Sequence, residues 1–232
     1  MKIALLGYGK MGKTIERIAI ERGHHIVIKA DIGTAYDITQ ADVAIDFSVP
    51  DAAFGNISTC LTNGIPVISG TTGWLEDYDK AVALCEKNKG AFIYASNFSL
   101  GVNIFFELNR NLAKMMASFN QYKVSIEETH HTQKLDAPSG TAITLANGII
   151  EETPYKKWTL DAPKSDEIGI VAKRIENVPG IHEITYESKV DTIQIKHSAH
   201  SRDGFALGAV IAAEWIIGKS GVFSMKDVLN IG

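Results

Sequence analysis

The stretch from Lys2 to Gly23 constrains this chain more than any other. A short apolar run, Lys2–Leu6, ends directly at Gly7-Tyr8-Gly9-Lys10-Met11-Gly12, a G-x-G-x-x-G turn. Met11, Ile15, Ile18 and Ala19 then recur at helical spacing until Gly23 stops them. Strand, glycine turn and helix in that order form a unit able to hold a pyrophosphate. Gly7 permits the tight turn, Gly9 lets backbone approach phosphate, and Gly12 lets helix and strand pack closely. The helix start adds unpaired N–H groups and a partial positive charge. Asp31 ends the next strand-like run, about twenty residues on, where an acid can accept hydrogen bonds from a ribose. A glycine turn with no ligand is the alternative.

Length bounds what this unit belongs to. At about 150 residues per domain, 232 residues make one to two domains. The 45% hydrophobic and 22% charged residues are those of an ordinary globular protein, which excludes a disordered chain. Acids outnumber bases 27 to 23, so no general affinity for nucleic acid follows; any anion must meet basic groups gathered locally. Cys60 and Cys85 each sit in a helix-like stretch and read as buried thiols of a reducing compartment. Met1–Leu6 runs straight into the turn, leaving no room for a signal peptide. Phe205–Ala213 stops at Glu214, too short to span a bilayer. The expectation is a cytoplasmic α/β protein with no nucleic-acid or membrane partner.

The first hundred residues alternate strand-like and helix-like segments, as in a parallel sheet covered by helices. Strands are expected at His25–Lys29, Val43–Phe47, Pro66–Ser69 and Ala91–Ala95. Helices are expected from Pro50 to near Gly64 and over Leu75–Lys89. The segment Asp31–Asp42 is too short and polar for an ordinary crossover helix. After Ala95 the rhythm changes. A long helix, Val102–Met116, is followed by a strand at Tyr122–Thr129 and a helix from Ser139 to about Glu152. Gly169–Arg174, Glu183–Glu187 and Thr192–His197 then alternate in series, which suggests a mixed or antiparallel sheet. An apolar helix, Phe205–Ile217, is placed to return to the first sheet. The fold expected is α/β: an N-terminal doubly wound parallel sheet of the Rossmann type, residues 1–99 plus 203–232. An α+β domain for substrate binding and oligomerisation, residues 100–202, is inserted within it.

Two further segments fall beyond the carboxyl ends of strands four and five, where the far end of a dinucleotide belongs. Gly70-Thr71-Thr72-Gly73-Trp74 offers hydroxyls and backbone groups for a carboxamide. Ala95-Ser96-Asn97-Phe98-Ser99 adds an amide and an aromatic face suited to a nicotinamide ring. By composition alone each is an ordinary turn. Either NADH or NADPH fits this reading. Asp31 favours NADH through an unphosphorylated ribose, whereas Lys10 and Lys29 could offset a 2′-phosphate, and Ile32 could not bind one.

The densest chemistry is His130-His131-Thr132-Gln133-Lys134-Leu135-Asp136-Ala137-Pro138-Ser139-Gly140-Thr141. Ser139 reads as an N-cap, with the Gly140 and Thr141 amides pointing outward as a second anion site suited to a carboxylate. His131 and Lys134 add donors for a negatively charged substrate, and a lysine near the reacting atom can act as a general acid. A solvated loop before a capped helix is the alternative. Lys196, His197 and Arg202 read as extending a basic lining. No metal is expected, because strand alternation separates the histidines and no ligand set stands at zinc spacing. No nucleophile arrangement suggests hydrolysis.

GYGKMG, DFSVP at Asp46–Pro50, GTTGW at Gly70–Trp74, SNFSLGVN at Ser96–Asn103 and HHTQKLDAPSGTA at His130–Ala142 occur in that order. Together they closely resemble the 4-hydroxy-tetrahydrodipicolinate reductase (dihydrodipicolinate reductase) family of bacterial lysine and diaminopimelate synthesis. HSAHSRDGFALGA at His197–Ala209 is similar to that family's return to its nucleotide domain. The resemblance implies reduction of a small cyclic dicarboxylate by NADH or NADPH, with loss of water, to tetrahydrodipicolinate. It implies His130 as acid/base and Lys134 as proton donor. His131, Lys134, Ser139, Gly140 and Thr141 would hold the substrate. Gly7, Tyr8, Gly9, Lys10, Met11, Gly12, Asp31, Phe47, Gly70, Thr71, Thr72, Ala95, Ser96, Asn97 and Phe98 would line the cofactor. A homotetramer through sheets of the inserted domain is implied too. Some members carry an arginine where this chain has Ile32, and the Asp31–Asp42 segment is short. The rival readings are another Rossmann-type reductase of a small carboxylic acid and a non-catalytic NAD(H) sensor.

Overall fold

A computed structural model describes residues 1–31 and 33–231. The chain begins β1 (Lys2–Leu6), α1 (Lys10–Glu21), β2 (His25–Ala30), β3 (Val43–Asp46), α2 (Pro50–Thr62), β4 (Val67–Ser69), α3 (Tyr78–Lys87), β5 (Ala91–Tyr94) and α4 (Leu100–Met116). It continues through β6 (Lys123–His130), α5 (Gly140–Glu152), β7 (Lys157–Thr159), β8 (Glu167–Arg174), β9 (Gly180–Glu187) and β10 (Thr192–Ala199). It closes with α6 (Asp203–Ile216), β11 (Gly221–Phe223) and α7 (Met225–Leu229). Two compact units result: Met1–Asn103 with Arg202–Gly232, and Ile104–Ser201.

The first unit is a six-stranded parallel sheet in the order β11-β5-β4-β3-β1-β2. Its strands are short and apolar, and successive side chains enter opposite layers, the period-two rule of a sheet buried on both faces. Ile3, Leu5, Val43, Ile45, Ile68, Ala91 and Ile93 pack with Ile15 and Ile18 of α1, Ala209 and Val210 of α6, and Met225 and Val228 of α7. Ala4, Leu6, Ala44, Val67 and Phe92 face the other way, onto Ile57 and Leu61 of α2 and Ala81 and Cys85 of α3. This is the doubly wound parallel sheet expected from the alternation of elements. The order reverses between β1 and β3, so their carboxyl ends frame the crevice where such sheets bind ligands.

The second unit is a five-stranded sheet in the order β10-β9-β6-β8-β7. The pairs β6–β8 and β7–β8 are parallel, whereas β9 runs antiparallel to β6 and β10. One face buries Val124, Ile126, Ile168, Ile170, Ile184 and Tyr186 against Phe105 and Leu112 of α4 and Leu145, Ala146 and Ile149 of α5. The sheet is mixed, as the series of strands implied.

Several boundaries differ from expectation, each for a local reason. The helix expected over Leu75–Lys89 opens with a 3-10 turn, Leu75–Asp77, before α3 begins. Among its described residues, the short Asp31–Asp42 crossover holds one 3-10 turn, Ile38–Gln40, capped by Asp37 accepting from the Thr39 amide. The strands β7 and β11 escape a periodicity reading because three residues carry no period. The helix α7 is short, but its capping box, Ser224 with Asp227, is a readable start signal.

Candidate functional site

The glycine turn lies at the switch point between β1 and β3, and its three glycines have separate jobs. Gly7 has φ +94°, and a Cβ there would stand 2.1 Å from the Phe47 carbonyl oxygen, so it serves both the turn and the approach of the chain leaving β3. A Cβ on Gly12 would stand 2.4 Å from the Gly7 carbonyl oxygen. Gly9 differs: its Cβ would meet no atom within 4 Å, and as N-cap of α1 it has no side-chain capping bond. The first N–H groups of α1 therefore lack the usual side-chain acceptor, which leaves them to be satisfied by a ligand such as phosphate. A cavity of about 410 Å³ opens here, lined by Gly7, Tyr8, Gly9, Asp31, Phe47 and Asn56 among others. Its volume lies within the range of small-molecule sites. These residues fit the phosphate and ribose portion of a dinucleotide.

The basic groups near the ribose acid are arranged more narrowly than the sequence allowed. Lys29 pairs with Glu16 at 2.5 Å and lies 5.1 Å above the Tyr8 ring, while the Tyr8 hydroxyl also donates to Glu16. That pairing holds the Glu16 carboxyl below its usual range and sets the exposed Lys29 ammonium against a carboxylate of the protein's own. Lys10 is exposed and Met11 half-buried against the core. Ile32 lies outside the described residues.

The far loops are held by one buried carboxylate that sequence reading did not single out. Asp46, at the end of β3, is fully buried and accepts from Ser48 Oγ (2.7 Å), Asn56 Nδ2 (2.8 Å), Ser69 Oγ (2.9 Å) and Thr71 Oγ1 (2.8 Å). Burial raises its pKa against those four bonds. The motif DFS carried the signal, since an acid ending a buried strand must find partners. The Thr71 hydroxyl is thereby occupied, accepting also from the Ser48 amide, so it holds the loop and does not reach for a carboxamide. A Cβ on Gly70 would enter the Phe47 ring at 2.3 Å, and Thr72 is exposed. Phe98 corrects another expectation: it is 1% exposed in the core with its ring against Phe47, and offers no face to a nicotinamide. Asn97 turns its Oδ1 to the Ser99 amide, whereas Ala95 is half-buried and Ser96 exposed.

In the second unit the histidine–lysine segment is built around Glu128, two residues before His130 on β6 and wholly buried. Both Glu128 oxygens accept from the Ser139 amide at 3.1 Å, and Oε1 accepts from Arg174 Nη2 at 3.2 Å. His182 Nε2 lies 3.7 Å and His130 Nδ1 3.4 Å from Oε2. Burial pushes the Glu128 pKa up, but the bonds from His182 and Ser139 outweigh it and hold it at about 2. Burial pushes His130 down to about 4 against the attraction of Glu128, so its imidazole is neutral at pH 7. Glu128, Arg174 and His182 come from three adjacent strands, so no local spacing revealed them.

Ser139 also departs from expectation. It caps α5 as expected, accepting from the Ala142 amide, but it is 3% exposed and its hydroxyl meets His182 Nε2 at 3.2 Å. Its work is to hold the helix start, which leaves the exposed Gly140 and half-buried Thr141 amides for an anion. Lys134 Nζ pairs with both oxygens of Asp136, at 2.8 and 2.7 Å. The Nδ1 atoms of His130 and His131 are buried without a hydrogen-bond partner, the kind of unsatisfied group that marks a working site. Of the residues expected to extend the lining, Lys196 pairs with Glu183 at 3.2 Å, and His197, its ring beside Phe105, has an Nδ1 that is likewise buried without a hydrogen-bond partner. Arg202 belongs to the other unit. Among the described residues Glu128, His130 and His182 are the one group with metal-ligand chemistry, but both carboxylate oxygens are taken by Ser139 and Arg174. A cation there would stand beside a guanidinium.

A glycine turn at the switch point of a doubly wound sheet is the arrangement of a dinucleotide-binding protein, and the histidine–lysine segment carries the chemistry to meet an anion. The family model "Dihydrodipicolinate reductase, N-terminus" matches residues 1–98, and "Dihydrodipicolinate reductase, C-terminus" matches residues 101–229. The chain belongs to the dihydrodipicolinate reductase family. It is 61% identical over 234 residues to a 4-hydroxy-tetrahydrodipicolinate reductase of Christiangramia forsetii, covering 99% of this chain and 98% of that one. It is 38% identical to that of Methanosarcina acetivorans, over 99% of this chain and 89% of that one. Among solved structures it is similar to a dipicolinate-bound dihydrodipicolinate reductase from Paenisporosarcina sp. TG-14, with TM-score 0.77, 25% identity and 97% of each chain covered. The enzyme is an NAD(P)H-dependent oxidoreductase that reduces 4-hydroxy-tetrahydrodipicolinate to tetrahydrodipicolinate in diaminopimelate and lysine biosynthesis.

The depressed His130 pKa has a consequence for stability. As pH falls, the unfolded chain takes up the His130 proton near 6.5, while the folded protein resists until about 4. The associated stability is present above pH 6.5 and lost progressively down to pH 4. Urea midpoints from pH 7 to 4.5 should therefore fall less steeply for His130→Gln than for the parent; equal slopes would show that His130 titrates normally.

Proposed function

We propose a division of labour between the two units. The unit Met1–Asn103 with Arg202–Gly232 binds the dinucleotide through Gly7–Gly12 and Asp31, and Ile104–Ser201 binds the substrate dicarboxylate. When bound, the nicotinamide supplies hydride; the protein supplies orientation, charge neutralisation and a proton. Gly140 and Thr141 at the start of α5, with His131 and Lys134, hold the carboxylates. Dipicolinate bound to the Paenisporosarcina enzyme supports a planar ring dicarboxylate as the ligand class.

The observation that carries the reading is Lys134 itself. Its ammonium pairs with the exposed Asp136 two residues on, a carboxylate that a substrate carboxylate can replace, which makes Lys134 a cationic donor to the substrate. His130, held neutral beside an ionised Glu128, is an acceptor or shuttle and not an imidazolium acid. For the cofactor, Asp31 lines the cavity and Lys29 is committed to Glu16, which supports NADH over NADPH.

The open face of the second sheet supports assembly. By register, Ser125, Glu127, Val171, Lys173, Thr185 and Gln194 share the side opposite the α4 and α5 core. We infer a cytoplasmic homotetramer joined there. Free, buried Cys60 and Cys85 support a reducing compartment, and no helix among the described residues is long and apolar enough to cross a membrane. Light scattering on the cytoplasmic fraction should give the mass of four chains; a monomer would remove the assembly.

One assay tests the chemistry. A synthase generates the cyclic substrate from pyruvate and aspartate semialdehyde while dinucleotide absorbance is followed. The parent should oxidise NADH with a higher kcat/KM than NADPH, and Lys134→Ala should lower kcat by roughly 10²–10⁴-fold with dinucleotide affinity unchanged. Unaltered turnover would remove Lys134 from the mechanism, and a preference for NADPH would overturn the role given to Asp31.

A further inference from the structure

Arg174 ends β8, directly opposite His130 in the parallel pairing of β6 and β8. Its guanidinium makes contacts in four directions. Nε donates to the Lys134 carbonyl at 3.2 Å and Nη2 to the Asp136 carbonyl at 2.6 Å. Nη1 donates to the Lys173 carbonyl at 2.8 Å, and Nη2 also reaches Glu128 Oε1 at 3.2 Å. The segment from His131 to Pro138 has no regular secondary structure. Its internal backbone bond is from the Lys134 amide to the His131 carbonyl. Arg174 thus grips the backbone on both sides of the residue between Lys134 and Asp136. It also holds the one buried anion of the cluster.

We propose that Arg174, seated on Glu128, is a positioning residue that fixes where the Lys134 ammonium stands. Only a planar guanidinium with several donors can bind one carboxylate oxygen and two carbonyls at once; a lysine ammonium is a single point on a flexible stem. The neighbouring groups favour this role over substrate contact. Glu128 is the anion facing the guanidinium, while His130 and His182 present rings 5.1 Å apart behind that carboxylate. The side chain is 21% exposed, so its charge is largely engaged within the protein. A displaced lysine would lose alignment with the atom it protonates, and misplacement by about 1 Å costs on the order of 10²-fold in rate.

This inference rests on the reading of Lys134 as proton donor, and the two fail separately. The test is a double-mutant cycle of Arg174→Lys and Lys134→Ala, measured as kcat and KM with NADH and the synthase-generated substrate. Arg174→Lys keeps a positive charge beside Glu128 and so tolerates failure of Arg174→Ala to fold. It is expected to lower kcat by about 10–100-fold, with NADH affinity unchanged. In the Lys134→Ala background the same substitution should cost no further kcat. A merely structural role would cut both backgrounds equally, and that result overturns the proposal. Unchanged kcat for Arg174→Lys, alongside a damaged Lys134→Ala, overturns the positioning role alone. Full turnover by Lys134→Ala overturns both.

Discussion

Glu128 is the charge on which the substrate unit depends. A carboxylate taken wholly out of water persists only when its lone pairs are filled, and here Ser139, Arg174 and His182 converge on it. Each partner carries a further part of the site. Ser139 caps α5, and Arg174 holds the turn that bears Lys134. His130 stands against the same carboxylate and stays neutral because burial outweighs that attraction. One buried acid therefore organises a helix start, a loop and an imidazole that come from separate parts of the chain.

Asp46 repeats the device in the dinucleotide unit. Its four side-chain bonds tie the end of β3 to the loop after β4 and to α2, so that Phe47 and Gly70 can pack against each other beside the glycine turn. Asp46 ends β3 and Glu128 lies two residues before the end of β6, so each is buried close to where its strand leaves the sheet. Thr71, whose hydroxyl satisfies Asp46, and Ser139, whose amide meets Glu128 while its hydroxyl caps α5 and meets His182, are thereby held as supports.

The doubly wound sheet was legible because short apolar strands alternate with helices, and the glycine turn because Gly7 and Gly12 answer steric demands seen at 2.1 and 2.4 Å while Gly9 stands open. Lys134, His130 and His131 were legible because they crowd one segment. Arg174 and His182 were not, since a lone arginine ending β8 and a lone histidine on β9 carry no local signal until pairing with β6 brings them to Glu128. Phe98 was misjudged for a similar reason. An aromatic after a strand can face a ligand or the core, and the choice depends on α6, where a Cβ on Gly208 would stand 1.7 Å from the Phe98 carbonyl oxygen.

A crystal structure of the enzyme with NADH and dipicolinate should place the pyrophosphate against the Gly9 turn and a dipicolinate carboxylate on the Gly140 and Thr141 amides. Lys134 should be within hydrogen-bond reach of the ligand, and Arg174 still on Glu128. Dipicolinate bound away from α5, or Arg174 released from Glu128 to bind it, would contradict the account.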